Sequence, residues 1–110
     1  MRRTALAAVL ILAPALARAD AIYGCWTNGD ENLIVEFTRV VTPAGASPEA
    51  EIDRHNAVYV APDGERDAGL LLAFRQMHDH AVMRTVWTGR GGEEAGEREV
   101  WQPCDPRVTS

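Results

Sequence analysis

Apolar and polar positions alternate in short runs, and turn residues separate the runs. Ile22–Thr27 reads as a strand closed by Asn28-Gly29, a strong turn pair. Asn32–Val41 alternates next, with Leu33, Val35 and Phe37 on one face and Glu36 and Thr38 on the other. Thr42-Pro43-Ala44-Gly45-Ala46 fits no regular element. Ser47-Pro48-Glu49 carries a helix-start signature, which allows one short helix of two turns ending at His55-Asn56. Ala57–Ala61 is a strand that ends at Pro62-Asp63-Gly64, and Gly69–Gln76 with Ala81–Thr88 forms a hairpin. A glycine-rich acidic loop, Gly89–Gly96, leads to a last strand, Glu97–Gln102, which Pro103 stops. These elements predict an all-β fold, a small antiparallel barrel or sandwich of five or six strands.

Opposite residues in an antiparallel hairpin share a face. A loop centred on His78-Asp79 pairs Met77 with His80, Phe74 with Met83, Leu72 with Thr85 and Leu70 with Trp87. That register gathers Leu70, Leu72, Phe74, Met83 and Trp87 on the core side. The one-residue slip would set Phe74 opposite Arg84, so apolar matching favours the even loop.

Composition adds a compartment. Arg2-Arg3, an apolar stretch Ala5–Leu16 and the small residues of Ala17-Arg18-Ala19 make residues 1–19 a secretory signal peptide, leaving 20–110 as one small domain in the periplasm or outside the cell. No stretch is expected to span a membrane. In an exported chain the two cysteines, Cys25 and Cys104, read as a disulfide. If Ile22 and Trp26 face the core, Cys25 lies outside or on the rim. Cys104 meets it there, and strand parity turns Trp101 inward.

The formal charge is −5, about −8 once Arg2, Arg3 and Arg18 are removed, and the chain has no lysine. Nucleic acid is excluded as a partner for want of a basic footprint, whereas a basic protein partner suits the charge. The oligomeric state is left open.

Candidate chemistry is sparse. No Gly-x-Ser-x-Gly, HExxH, Cys-His pair or phosphate loop occurs, and the acids fall in loops, so a non-enzyme is expected. "QMHDHAVM", residues 76–83, is the one ligand-rich stretch. With Met83 assigned to the core, Met77, His78 and His80 remain as candidate copper ligands on a hairpin tip, a set of imidazoles and a thioether that copper accepts. No other cofactor is expected. Trp26, Trp87 and Trp101 are assigned to the barrel core, because a small barrel is filled by large side chains. The expected function is an exported binding protein. Its alternatives are a copper or small-ligand binder using residues 77–80, and a structural envelope protein.

Two resemblances concern the first strand. Gly24-Cys25-Trp26 resembles the Gly-x-Trp that opens lipocalin and related calycin barrels, where the tryptophan closes the barrel bottom and a late arginine packs on it; Arg98 is the nearest match. The stretch "YGCWTNGDENLIVEF" resembles the start of the bacterial periplasmic inhibitors of chicken-type lysozyme, small barrels with Tyr-x-Cys, a turn glycine, an alternating strand and a C-terminal cysteine. Tyr23, Cys25, Gly29, Leu33, Val35, Phe37 and Cys104 fit that outline, and Trp87-Thr88-Gly89 is similar to a later loop. The resemblance implies a protein-binding barrel. The Ser-Gly loop followed by an aromatic that defines those inhibitors is missing, so no inhibitory residue carries over.

Overall fold

The computed structural model describes residues 21–104, so the signal-peptide reading of 1–19 lies outside the described residues. Eight strands form one antiparallel sheet: β1 (Gly24–Thr27), β2 (Asn32–Val35), β3 (Val40–Val41), β4 (Glu51–Ile52), β5 (Asn56–Val60), β6 (Leu71–His78), β7 (Ala81–Trp87) and β8 (Glu99–Pro103). Their spatial order is β3-β2-β1-β8-β7-β6-β5-β4. The sheet curls into a half-barrel, and its two edges meet where Arg39 bridges Glu49. There the Ala50 amide donates to the Thr38 carbonyl at 2.9 Å and the Val40 amide to the Pro48 carbonyl at 3.3 Å. These contacts occupy backbone groups that edge strands would otherwise expose.

Alternation sets which side chains face inward. Trp26, Leu33, Val35, Val40, Ala57, Tyr59, Leu72, Phe74, Val82, Val86 and Trp101 form one buried cluster with Ile22 and Ala61. Phe74 sets its edge against Trp101 at 5.2 Å between centroids and lies parallel to Tyr59 at 6.2 Å. Trp26 Nε1 donates to the Ile22 carbonyl at 2.7 Å, so this indole is buried without an orphaned donor.

The disulfide forms as expected. Cys25 on β1 joins Cys104, just past β8, with 5.4 Å between Cα atoms, and the Cys104 amide donates to the Cys25 carbonyl at 3.1 Å. Trp101 points inward, as the parity of the bridge requires.

Eight strands replace the five or six expected, and two local causes account for the difference. Glu36 N donates to the Arg39 carbonyl at 3.0 Å, so Phe37-Thr38 is a tight turn that splits the expected 32–41 strand into β2 and β3. Phe37 therefore sits at a turn tip, 79% exposed and against Tyr23, instead of joining Leu33 and Val35 in the core. The short helix does not form among the described residues. The Pro48 carbonyl, which a helix would need internally, accepts from β3, and Ala50 and Ile52 pack on the core with the period of a strand. Asp53 then closes the β4–β5 hairpin, its Oδ1 accepting from the amides of His55 and Asn56 at 2.8 and 2.9 Å.

The β6–β7 register is the slipped one. Phe74 lies opposite Arg84, Leu72 opposite Val86 and Leu71 opposite Trp87, with an irregularity between Gln76 and His78. Arg84 consequently points inward and is buried, while Met83 and Trp87 face outward, half-buried. Both were expected in the core. The expectation treated every inward slot as apolar, but a buried guanidinium is tolerated when a carboxylate meets it. Asp67 supplies that carboxylate at 2.9 Å, held at φ 63°, a region aspartate enters more readily than bulkier residues. Trp87 keeps its polar atom satisfied outside the core: Nε1 donates to Thr85 Oγ1 at 2.9 Å.

Candidate functional site

The barrel interior is occupied by its own side chains, and a charged lid covers one end. The loop between Ala61 and Leu70 carries Arg66, whose guanidinium reaches Glu99 at 2.5 Å and Glu31 at 2.6 Å. Trp101 Nε1 adds a hydrogen bond to Glu99 at 3.0 Å, and Thr42 Oγ1 donates to Glu65. The hydrogen bond from Arg66 pulls the Glu99 carboxyl down to about 2, against the opposing effect of partial burial and with help from the Trp101 indole. Burial pushes the Tyr59 hydroxyl well above the usual phenol range. Each of these carboxylates is already engaged by a neighbour.

On the outer face, Val58, Val60, Leu71, Ala73 and Trp87 make an apolar strip on neighbouring strands. The chain after β7 folds back as a small hairpin. Thr88 N donates to the Glu93 carbonyl and Ala95 N to the Val86 carbonyl, leaving Gly89-Arg90-Gly91-Gly92 as its tip. Any side chain at Gly92 would collide with the Thr88 hydroxyl, which accepts from the Glu93 amide. The tip leans over the strip, and Arg90 pairs with Glu51. Between tip and sheet lies a groove of about 520 Å³, with Val58, Val60 and Leu71 in its wall and Glu49, Glu51 and Arg90 around it.

The expected copper ligands fall on the opposite, hairpin end. Met77, His78 and His80 are all exposed at or beside the β6–β7 turn, and the His78 and His80 rings stand 6.3 Å apart. The His80 amide donates to His78 Nδ1 at 3.2 Å, so that nitrogen already serves the turn. Met77 and His78 line a cleft of about 840 Å³ together with Arg54, His55, Asn56, Arg75, Gln76 and Asp79. His80 lies outside this lining, and Met83 is up the strand opposite Arg75. Among the described residues, no three His, Cys, Asp or Glu side chains stand close enough to hold a metal ion.

His55, Arg54 and Arg75 are the residues that sequence reasoning missed here. Strand pairing brings them in, since Asn56 lies opposite Arg75 and the Gln76 amide donates to the His55 carbonyl at 2.8 Å. What brings them in is the β5–β6 register, which local spacing in the sequence does not reveal. Arg98, the match to the calycin arginine, is exposed and pairs with Glu94 at 2.8 Å.

Comparison with protein-family models, with curated proteins and with solved structures returns no match. Among the described residues, no helix is long and apolar enough to cross a membrane.

Proposed function

We propose that this chain is an exported, non-enzymatic binding protein that docks a basic protein partner through the groove beneath the Gly89–Gly92 tip. One observation carries the reading: the barrel interior is filled by Trp26, Phe74, Trp101 and their neighbours, while an apolar groove with acidic residues at its rim lies on the outside. A filled barrel leaves the surface as the place to bind. Val60 is 55% exposed there, an apolar side chain of the kind that anchors partners. Glu49 and Glu51 beside it favour a cationic rim on the partner, and Arg90 is weakly held, since an exposed ion pair contributes at most about 1 kcal/mol. The resemblance of residues 23–37 to the lysozyme inhibitors, together with the first-to-last-strand disulfide, makes chicken-type lysozyme the first partner to test.

The test mixes the purified, oxidised protein with a basic lysozyme and follows bacterial lysis. Micromolar protein is expected to slow lysis, and Val60→Asp is expected to weaken the effect at least tenfold, about 1.4 kcal/mol. An unchanged lysis curve removes lysozyme as the partner. A Val60→Asp variant as effective as the parent removes the groove.

A further inference from the structure

We propose that the polar cleft at the β6–β7 hairpin end is a binding site for a phosphate group, formed by Arg54 and Arg75 with His55 and His78. This site is separate from the outer groove and does not depend on the partner assigned to it.

The argument starts from charge. Residues 21–104 contain seven arginines. Arg66, Arg84, Arg90 and Arg98 take carboxylates, and Arg39 Nη1 donates to the Ser47 carbonyl at 2.6 Å. Arg54 and Arg75 alone among them have no side-chain partner within the described residues, and both line the same cleft. Among the described residues, two of the three arginines without a carboxylate partner, Arg54 and Arg75, therefore share one cleft, and Arg39 is the third. Guanidinium groups from the β4–β5 turn (Arg54) and from β6 (Arg75) suit an anion with several oxygens, because each can present paired N–H donors.

The surroundings match a phosphate better than a cation. The cleft is polar-walled and about 840 Å³, room for a phosphate with an organic substituent. His55 Nδ1 bonds Gln76 Oε1 at 3.1 Å, which orients that imidazole, and the Gln76 side chain is held in turn by Nε2 donating to the Ala21 carbonyl at 3.5 Å. The neighbouring carboxylate of Asp53 is already occupied by the amides of His55 and Asn56 and by Asn56 Nδ2. Asp79 is the one acid in the lining and opposes an anion. The carboxylates of Asp53 beside the cleft and Asp79 in its lining offset the two guanidinium charges, so anion binding there rests on the unpartnered N–H donors of Arg54 and Arg75.

Phosphate of this kind comes from a soluble phosphate ester or from a lipid headgroup, and the experiment separates them. The oxidised protein is titrated with inorganic phosphate at fixed ionic strength while backbone amide NMR shifts are followed. In parallel, it is sedimented with phosphatidylglycerol or phosphatidylcholine vesicles. Saturable shifts confined to residues 54–56 and 75–79 are expected. Arg54→Ala/Arg75→Ala should weaken binding at least tenfold, and Asp79→Asn should strengthen it two- to fivefold; the affected side chains are exposed, so the fold is retained. Sedimentation with phosphatidylglycerol alone, reversed by phosphate, assigns the headgroup, and phosphate binding without sedimentation assigns a soluble ester. No saturable shift with phosphate and no vesicle binding overturns the site. Equal binding by the double-alanine variant and the parent overturns it too.

Discussion

The inward position of Arg84 makes a quantitative prediction that separates the two registers of the β6–β7 hairpin. Its side chain is 4% exposed and meets Asp67, which is 31% exposed. Breaking a buried ion pair by removing one partner costs about 3–5 kcal/mol, because the remaining charge is stranded. After Arg84→Ala the stranded group is Asp67, which still reaches water, so the loss should sit at the low end, about 3 kcal/mol. After Asp67→Ala the stranded group is a guanidinium with almost no access to water, so the loss should be larger, toward about 5 kcal/mol. The joint replacement Arg84→Met/Asp67→Ala removes both charges and keeps volume, and should recover most of the loss. Met83→Ala, on the outward face, should cost only about 1 kcal/mol. In the even-loop register these costs invert. Met83 would then be a core methionine, costing about 2–5 kcal/mol on truncation, and Arg84 a surface charge worth at most about 1. Urea denaturation of the oxidised variants, followed by tryptophan fluorescence, measures all four. A Met83→Ala loss exceeding that of Arg84→Ala would refute the observed register and the packing built on it.

Two further measurements probe the staple and the lid. Replacing Cys25 and Cys104 by serine opens a loop of 79 residues and should cost up to about 4.5 kcal/mol, read as a lower urea midpoint; an unchanged midpoint would show that the barrel needs no staple. The Glu99 carboxyl is held at about 2, below the ordinary 4.5, so its stabilising contribution is complete above about pH 4.5 and is lost as pH falls toward 2. Urea midpoints at pH 5, 3 and 2 should drop for the parent and drop less for Arg66→Ala, and parallel curves would remove Arg66 as the cause.

The all-β class, the disulfide and the inward Trp26 and Trp101 follow from signals that lie within single strands or in a simple pairing of two cysteines. β5 through β8 keep an alternating pattern long enough to be read. β3 and β4 are two residues each, shorter than any period, and become strands because β3 pairs with β2 and β4 with β5. The register error has a different origin. Counting apolar matches gives weight to Met83 and Trp87, whereas the folded chain gains more from burying Val82 and Val86 and answering Arg84 with Asp67. Asp67 belongs to a separate loop, so nothing near Arg84 in sequence announces that its charge will be met. The candidate sites were legible only in part for the same reason. His78 and Met77 stand out as a local cluster, but Arg54 and His55 reach them through β5–β6 pairing, some twenty residues away along the chain.

Under the proposed binding role, the closure of the sheet would suit the groove to docking. The disulfide ties first strand to last, the Arg39–Glu49 bridge joins the sheet edges, and Arg66 draws Glu31 and Glu99 together over one end. A frame closed at three places loses little conformational freedom when a partner binds, so less of the contact energy goes into ordering. The groove tip is preset in the same way, since the Thr88–Glu93 pair and the tight fit at Gly92 fix its shape before any partner arrives. Arg90 is the exception. Its pair with Glu51 is exposed and weak, so a partner's cation can replace it at small cost. Under the proposed docking role, rigid walls with one exchangeable charge would favour selection by charge and shape at the rim of the groove, with the filled barrel as its support.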